Sequence, residues 1–132
     1  MRVFEHSTLS IDYFKDDDFF IVKRFVSDST DKDEFKKLIN EWRATIEKYK
    51  PKKQLIDYSE YNFKITPELQ QYINDNLMKP AYEAGIRKVA FLLSHDLFSQ
   101  MTIEKTMQKN TGHLFEIKYF NNFQKAKDWL LI

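Results

Sequence analysis

Apolar residues along the chain switch between two periods, and the switches divide it into strands and helices. Leu9, Ile11 and Tyr13 alternate with Ser10 and Asp12, the period of a half-buried strand, which predicts one over about residues 8 to 14. Lys15-Asp16-Asp17-Asp18 supplies turn formers. Phe19-Phe20-Ile21-Val22 with Phe25-Val26 then resumes as a second, more apolar strand, so the pair reads as an antiparallel hairpin. Phe35, Leu38, Ile39, Trp42, Ile46 and Tyr49 recur at helical spacing, in a helix that Thr30 or Asp31 caps and Pro51 closes.

Gln54-Leu55-Ile56-Asp57-Tyr58 is a short apolar run entering the polar stretch Ser59 to Lys64, as a buried strand ending in a loop does. Thr66-Pro67-Glu68 starts a helix: the hydroxyl caps it, and proline takes the first helical position, where its missing N–H loses nothing. Leu69, Tyr72, Ile73 and Leu77 make its buried stripe. Pro80 either kinks this helix or opens a second short one, and Gly85 suits a left-handed end.

Val89-Ala90-Phe91-Leu92-Leu93 is the clearest central strand. Ser94 or Asp96 then caps a helix carrying Leu97, Phe98, Met101 and Met107, with Gly112 after its end. Leu114, Glu116, Lys118 and Phe120 alternate with Phe115, Ile117 and Tyr119 in a last strand. Asn122 caps a terminal helix with Phe123, Ala126, Trp129 and Leu130 facing inward. The order β-β-α-β-α-β-α-β-α predicts an α/β fold with a mixed, mostly parallel sheet, an N-terminal antiparallel hairpin and about four helices.

Composition narrows the function classes. A chain of 132 residues buries roughly two-thirds of its unfolded surface, enough for one core. The 21 basic and 20 acidic residues interleave, so no long-range field draws nucleic acid, and none is expected as a partner. The absence of cysteine removes thiolate catalysis and cysteine zinc sites. The segment Met1 to Ser7 has no apolar signal region and no apolar run is long enough to span a bilayer, so the expected location is cytoplasmic, with no integral membrane association.

The opening hairpin, Leu55-Ile56-Asp57-Tyr58-Ser59, Ala84-Gly85-Ile86-Arg87-Lys88-Val89-Ala90, and Tyr119-Phe120-Asn121-Asn122-Phe123 through Ala126 to Trp129-Leu130 together resemble the SpoIIAA-like family. The likeness spans nearly the whole chain, which reads as a single SpoIIAA-like domain over residues 1–132. It implies a relative of STAS domains, regulatory modules that act through protein contacts, and more distantly of CRAL-TRIO lipid-binding domains. Anti-sigma factor antagonists of the STAS type carry a phosphorylatable serine in an Asp-Ser-Ser-Gly-like turn after the strand matching Leu55 to Tyr58. Here that stretch is Glu60-Tyr61-Asn62-Phe63-Lys64-Ile65-Thr66, without such a serine. No phosphorylation switch carries over.

Ligands of open α/β sheets collect beyond the carboxyl ends of parallel strands. That edge is expected to hold Asp57, Tyr58, Ser59, Tyr61 and Asn62 after one strand, Ser94, His95 and Asp96 after the next, and Asn121 with Asn122 after the last. The structural alternative is that Asp96 and Asn122 cap helices while Asp57 hydrogen-bonds a neighbouring loop. Ser94-His95-Asp96 is no triad, because consecutive residues point apart. Two glycines in the chain cannot build a phosphate-cradling loop, and His6, His95 and His113 lack partners at ligand spacing, so no cofactor and no metal is expected. Asp16-Asp17-Asp18 lacks the alternation of a calcium loop.

Phe63, Tyr72, Tyr82, Phe91, Phe98 and Met101 could line an apolar pocket for a small lipophilic ligand, or could be ordinary core. Aromatics exposed on the helices near Leu69 to Tyr82 or Leu97 to Met107 would instead suit a partner or self-association surface. The expectation is therefore a non-enzymatic regulatory or interaction module whose partner is another protein or a second copy, as a homodimer. The alternative is a carrier or sensor of a small apolar ligand.

Overall fold

A computed structural model of the chain describes residues 1–25, 32–60, 66–94 and 115–132. Its strands are β1 (Arg2–His6), β2 (Leu9–Phe14), β3 (Phe19–Arg24), β4 (Lys53–Asp57), β5 (Lys88–Leu92) and β6 (Glu116–Phe120). They form one six-stranded sheet in chain order, β1-β2-β3-β4-β5-β6. The pairs β1–β2 and β2–β3 are antiparallel, and β3–β4, β4–β5 and β5–β6 are parallel. The expected mixed sheet with its antiparallel hairpin is thus present. β1 is an addition that alternation did not signal, since its apolar residues Val3 and Phe4 are adjacent and its pairing shifts register between Arg2 and Phe4.

The period-two pattern divides the sheet's side chains between two layers. One face carries Leu9, Ile11, Phe20, Val22, Ile56, Val89 and Phe91, packed against helix α1 (Lys32–Tyr49) through Phe35, Ile39, Trp42 and Ile46. Trp42, Ile39 and Ile46 are fully buried, each stabilising the fold by about 1.5–3 kcal/mol relative to exposure. The other face carries Phe19, Leu55, Ala90, Leu92 and Phe120, covered by Ala126 and Leu130 of helix α4 (Phe123–Leu130). Packing of α4 is on β4, β5 and β6.

Between β4 and β5 the chain runs through α2 (Pro67–Ile73), a π-helical turn (Asn74–Met78) and α3 (Lys79–Ala84). Thr66 is in extended conformation and its hydroxyl accepts from Leu69 N–H at 3.3 Å, the predicted cap. Pro80 explains the wider turn. Proline lacks an N–H and its ring pushes away the carbonyl one turn back, here that of Asn76. The Lys79 N–H accordingly reaches past the ordinary position to Asn74, and Arg43 of α1 donates to the Asn76 carbonyl at 3.5 Å and to its Oδ1 at 3.4 Å. Gly85 ends α3 at φ 119°, where only glycine is unstrained. Three helical bodies are therefore described; the helix expected after Ser94 lies outside the described residues.

Candidate functional site

The parallel strands deliver their chain ends to one edge. Tyr58 N–H donates to the Leu92 carbonyl and Leu93 N–H to the Phe120 carbonyl, both at 2.8 Å, so the segments leaving β4, β5 and β6 start side by side. This brings Asp57, Tyr58, Ser59, Ser94 and Asn121 together at the carboxyl edge, as the strand order required. Tyr61, Asn62, His95 and Asp96 lie outside the described residues.

Asp57 is buried on the α4 side of the sheet. Its Oδ1 accepts from the Ser59 N–H at 2.8 Å and from the Ser59 hydroxyl at 2.5 Å. This is the turn in which a short acid closes the backbone two residues on. The carboxylate holds its own loop, where the structural alternative had it bonding a neighbouring one. Just beyond, Lys23 at the end of β3 pairs with Glu60 at 3.4 Å, both side chains being largely in water. Asn122 likewise serves its helix, accepting from Lys125 N–H at 3.0 Å, while Asn121 is exposed.

Tyr58 points to the opposite face. Its ring stacks on Phe91 with centroids 6.1 Å apart, and Phe91 stacks on Tyr119 at 5.2 Å, giving a run of aromatic rings across β4, β5 and β6. Burial pushes the Tyr58 phenol above its ordinary range, and the positive charge of Arg24 pulls the other way. Arg24, at the end of β3, is itself buried, with its guanidinium 5.4 Å from the Phe35 ring centroid. Sequence reading passed over Arg24. The signal was its parity with Phe20 and Val22, which puts position 24 on the helix-covered face.

The aromatic residues read as pocket candidates occupy separate places. Phe91 is buried in the core between Tyr58 and Tyr119. Tyr72 is half-buried between the helices, donating to Asn40 of α1 at 2.9 Å with the Lys36 ammonium 5.3 Å from its ring. Tyr82 lies towards the amino ends of β5 and β6, edge-on to Phe115 at 6.0 Å and covered by Arg87 at 3.8 Å. Phe63, Phe98 and Met101 lie outside the described residues. One inward assignment changes. Ala126 and Leu130 are buried, but Phe123 is 43% exposed, because the first turn of α4 begins at the carboxyl edge.

Among the described residues, no group of three or more His, Asp or Glu could hold a metal ion, and no helix is long and apolar enough to cross a membrane.

A six-stranded mixed sheet with helices on both faces and a hairpin leading into parallel strands defines a STAS-like α/β protein. The chain belongs to the SpoIIAA-like family, whose model matches residues 21–131. It is similar in fold to the crystal structure of an uncharacterised protein from the DUF3478 family, with a SpoIIAA-like fold, from Shewanella loihica PV-4. The two are 20% identical, with a TM-score of 0.56 and coverage of 98% of each chain. That likeness includes the opening hairpin, which lies mostly ahead of the family match. No curated protein matches this chain.

Proposed function

We propose that this chain is a non-enzymatic regulatory module that works by contacting another protein at the carboxyl edge of its sheet. The observation that carries this reading is the state of that edge. Among the described residues there, Asp57 and Ser59 are bonded to each other in closing a turn, and Asn122 caps the start of the terminal helix. At the start of that helix, Phe123 leaves part of its aromatic ring exposed. Aromatic rings are enriched where proteins meet, and one exposed on a rigid helix gives a partner apolar area at little entropic cost. The STAS-like fold supports the same reading by analogy.

Native mass spectrometry of protein purified gently from its host tests it. A retained protein partner is the expected result. A small-molecule mass addition that disappears on denaturation, with no protein retained, would replace this reading with that of an apolar-ligand carrier.

A further inference from the structure

The sheet has two edge strands, and they are finished differently. β1 is irregular: its register shifts between Arg2 and Phe4, and Arg2 is occupied by Asp12 at 2.8 Å and by Glu5 at 3.0 Å. Irregularity and satisfied charge are how proteins protect a sheet edge from strand addition. Among the described residues β6 has no such protection. It pairs with β5 in unbroken register from Lys88↔Glu116 to Leu92↔Phe120, and among the described residues no strand bonds to its outer side.

The backbone phase of that outer side is fixed. Glu116 N–H donates to Arg87 and the Phe120 carbonyl accepts from Leu93, so Glu116, Lys118 and Phe120 turn their peptide groups towards β5. Alternation then turns the N–H and C=O of Ile117 and Tyr119 outward. The side chains carry a second pattern in Phe115-Glu116-Ile117-Lys118-Tyr119, in which opposite charges flank Ile117 and an aromatic residue stands two positions away on either side. Glu116 and Lys118 share one face, both are exposed, and neither forms an ion pair among the described residues.

We propose that β6 pairs antiparallel with β6 of a second copy of this chain about a two-fold axis at Ile117, joining two six-stranded sheets into one. Two independent features select the same register. With Ile117 opposite its own copy, the outward peptide groups face each other as a pair that exchanges both hydrogen bonds. The same alignment sets Glu116 opposite Lys118 of the second copy, and Lys118 opposite its Glu116, at the non-bonded positions where side chains come closest. On the other face it sets Phe115 opposite Tyr119 of the second copy, an aromatic cross-strand pair. The contact is isologous and closes as a dimer. It is a separate inference from the partner-binding reading, because it rests on the outer backbone and side chains of β6 and not on Asp57 or Phe123.

The test uses charge reversal at two exposed positions. Sedimentation velocity across a concentration series should show reversible dimerisation of the wild type, weakened by salt. Glu116→Lys and Lys118→Glu each create two like-charge pairs and should weaken the dimer about tenfold or more. The double variant restores opposite charges in the same register and should regain wild-type affinity, and an equimolar mixture of the single variants should form the heterodimer. Hydrogen exchange should show concentration-dependent protection at the Ile117 and Tyr119 amides, with Lys118 unchanged because its N–H already faces β5. A wild type that stays monomeric to about millimolar concentration, the affinity range of the weakest specific contacts, overturns the proposal. So does a dimer indifferent to the single reversals, or one the double variant does not restore.

Discussion

Gln54 gives the most exacting test of how the helix-covered core is held. It is buried at the start of β4, and its Oε1 accepts from Trp42 Nε1–H of α1 at 2.8 Å. An indole N–H can only donate, so the amide must present its oxygen there. The amide nitrogen, Nε2, is consequently left buried with no hydrogen-bond partner among the described residues. Replacing Gln54 by Leu strands the indole N–H, a loss of about 1–3 kcal/mol, but also removes the stranded Nε2 of similar magnitude and adds apolar volume. The sum is close to zero, within about 1 kcal/mol. Gln54→Ala strands the same N–H and opens a cavity as well, for a net loss of about 2–4 kcal/mol. With an unfolding entropy of about 2.1 cal/mol/K per residue over 132 residues, each kcal/mol moves Tm by about 4 °C. Thermal unfolding followed by circular dichroism should place Gln54→Leu within about 4 °C of wild type and Gln54→Ala about 7–14 °C below it. Equal losses for the two variants would refute the reasoning, since they would show that the Trp42 hydrogen bond dominates and that the buried Nε2 carries no penalty.

Two further predictions concern single positions. Gly85→Ala adds a methyl group that meets nothing within 4 Å, so its loss of about 1 kcal/mol should come from the φ of 119° alone, and Gly85→Asn should lose less in chemical denaturation. At Tyr58 burial raises the pKa in the fold, so its contribution to stability is complete below the unfolded value near 10 and is lost as pH rises through that value towards the folded one. Tyr58→Phe should therefore flatten the decline in stability above about pH 10, read from denaturation midpoints at a series of pH values; an unchanged slope would contradict the assignment.

Much of the fold was legible because local signals and global packing agreed. The helical period of Phe35 to Ile46, the starts at Thr66-Pro67 and Asn122 and the stop at Gly85 are each satisfied within a few residues of where they are read. β1 was illegible because a register shift breaks the alternation by which strands are recognised. The π turn was half visible: Pro80 announced an interruption, but the relief supplied by Arg43 lies on a distant helix. Exposure of Phe123 depended on where α4 begins relative to the sheet, which a helical period does not encode. At the candidate site, the gathering of Asp57, Ser59, Ser94 and Asn121 followed from strand order, whereas the burial of Arg24 followed only from side-chain parity. The pattern of Phe115 to Tyr119 is plain in the sequence, yet it acquires meaning only once β6 is known to be an edge.

The central claim is that the carboxyl edge meets another protein, and site-specific photo-crosslinking in the native host tests it most directly. A benzoylphenylalanine in place of Phe123 keeps an exposed aromatic ring at that edge, and the same probe at Asp128, exposed near the far end of α4, is the control. The account predicts a discrete protein adduct from position 123 and none from position 128. Adducts from position 128 alone, or from neither position, would contradict it.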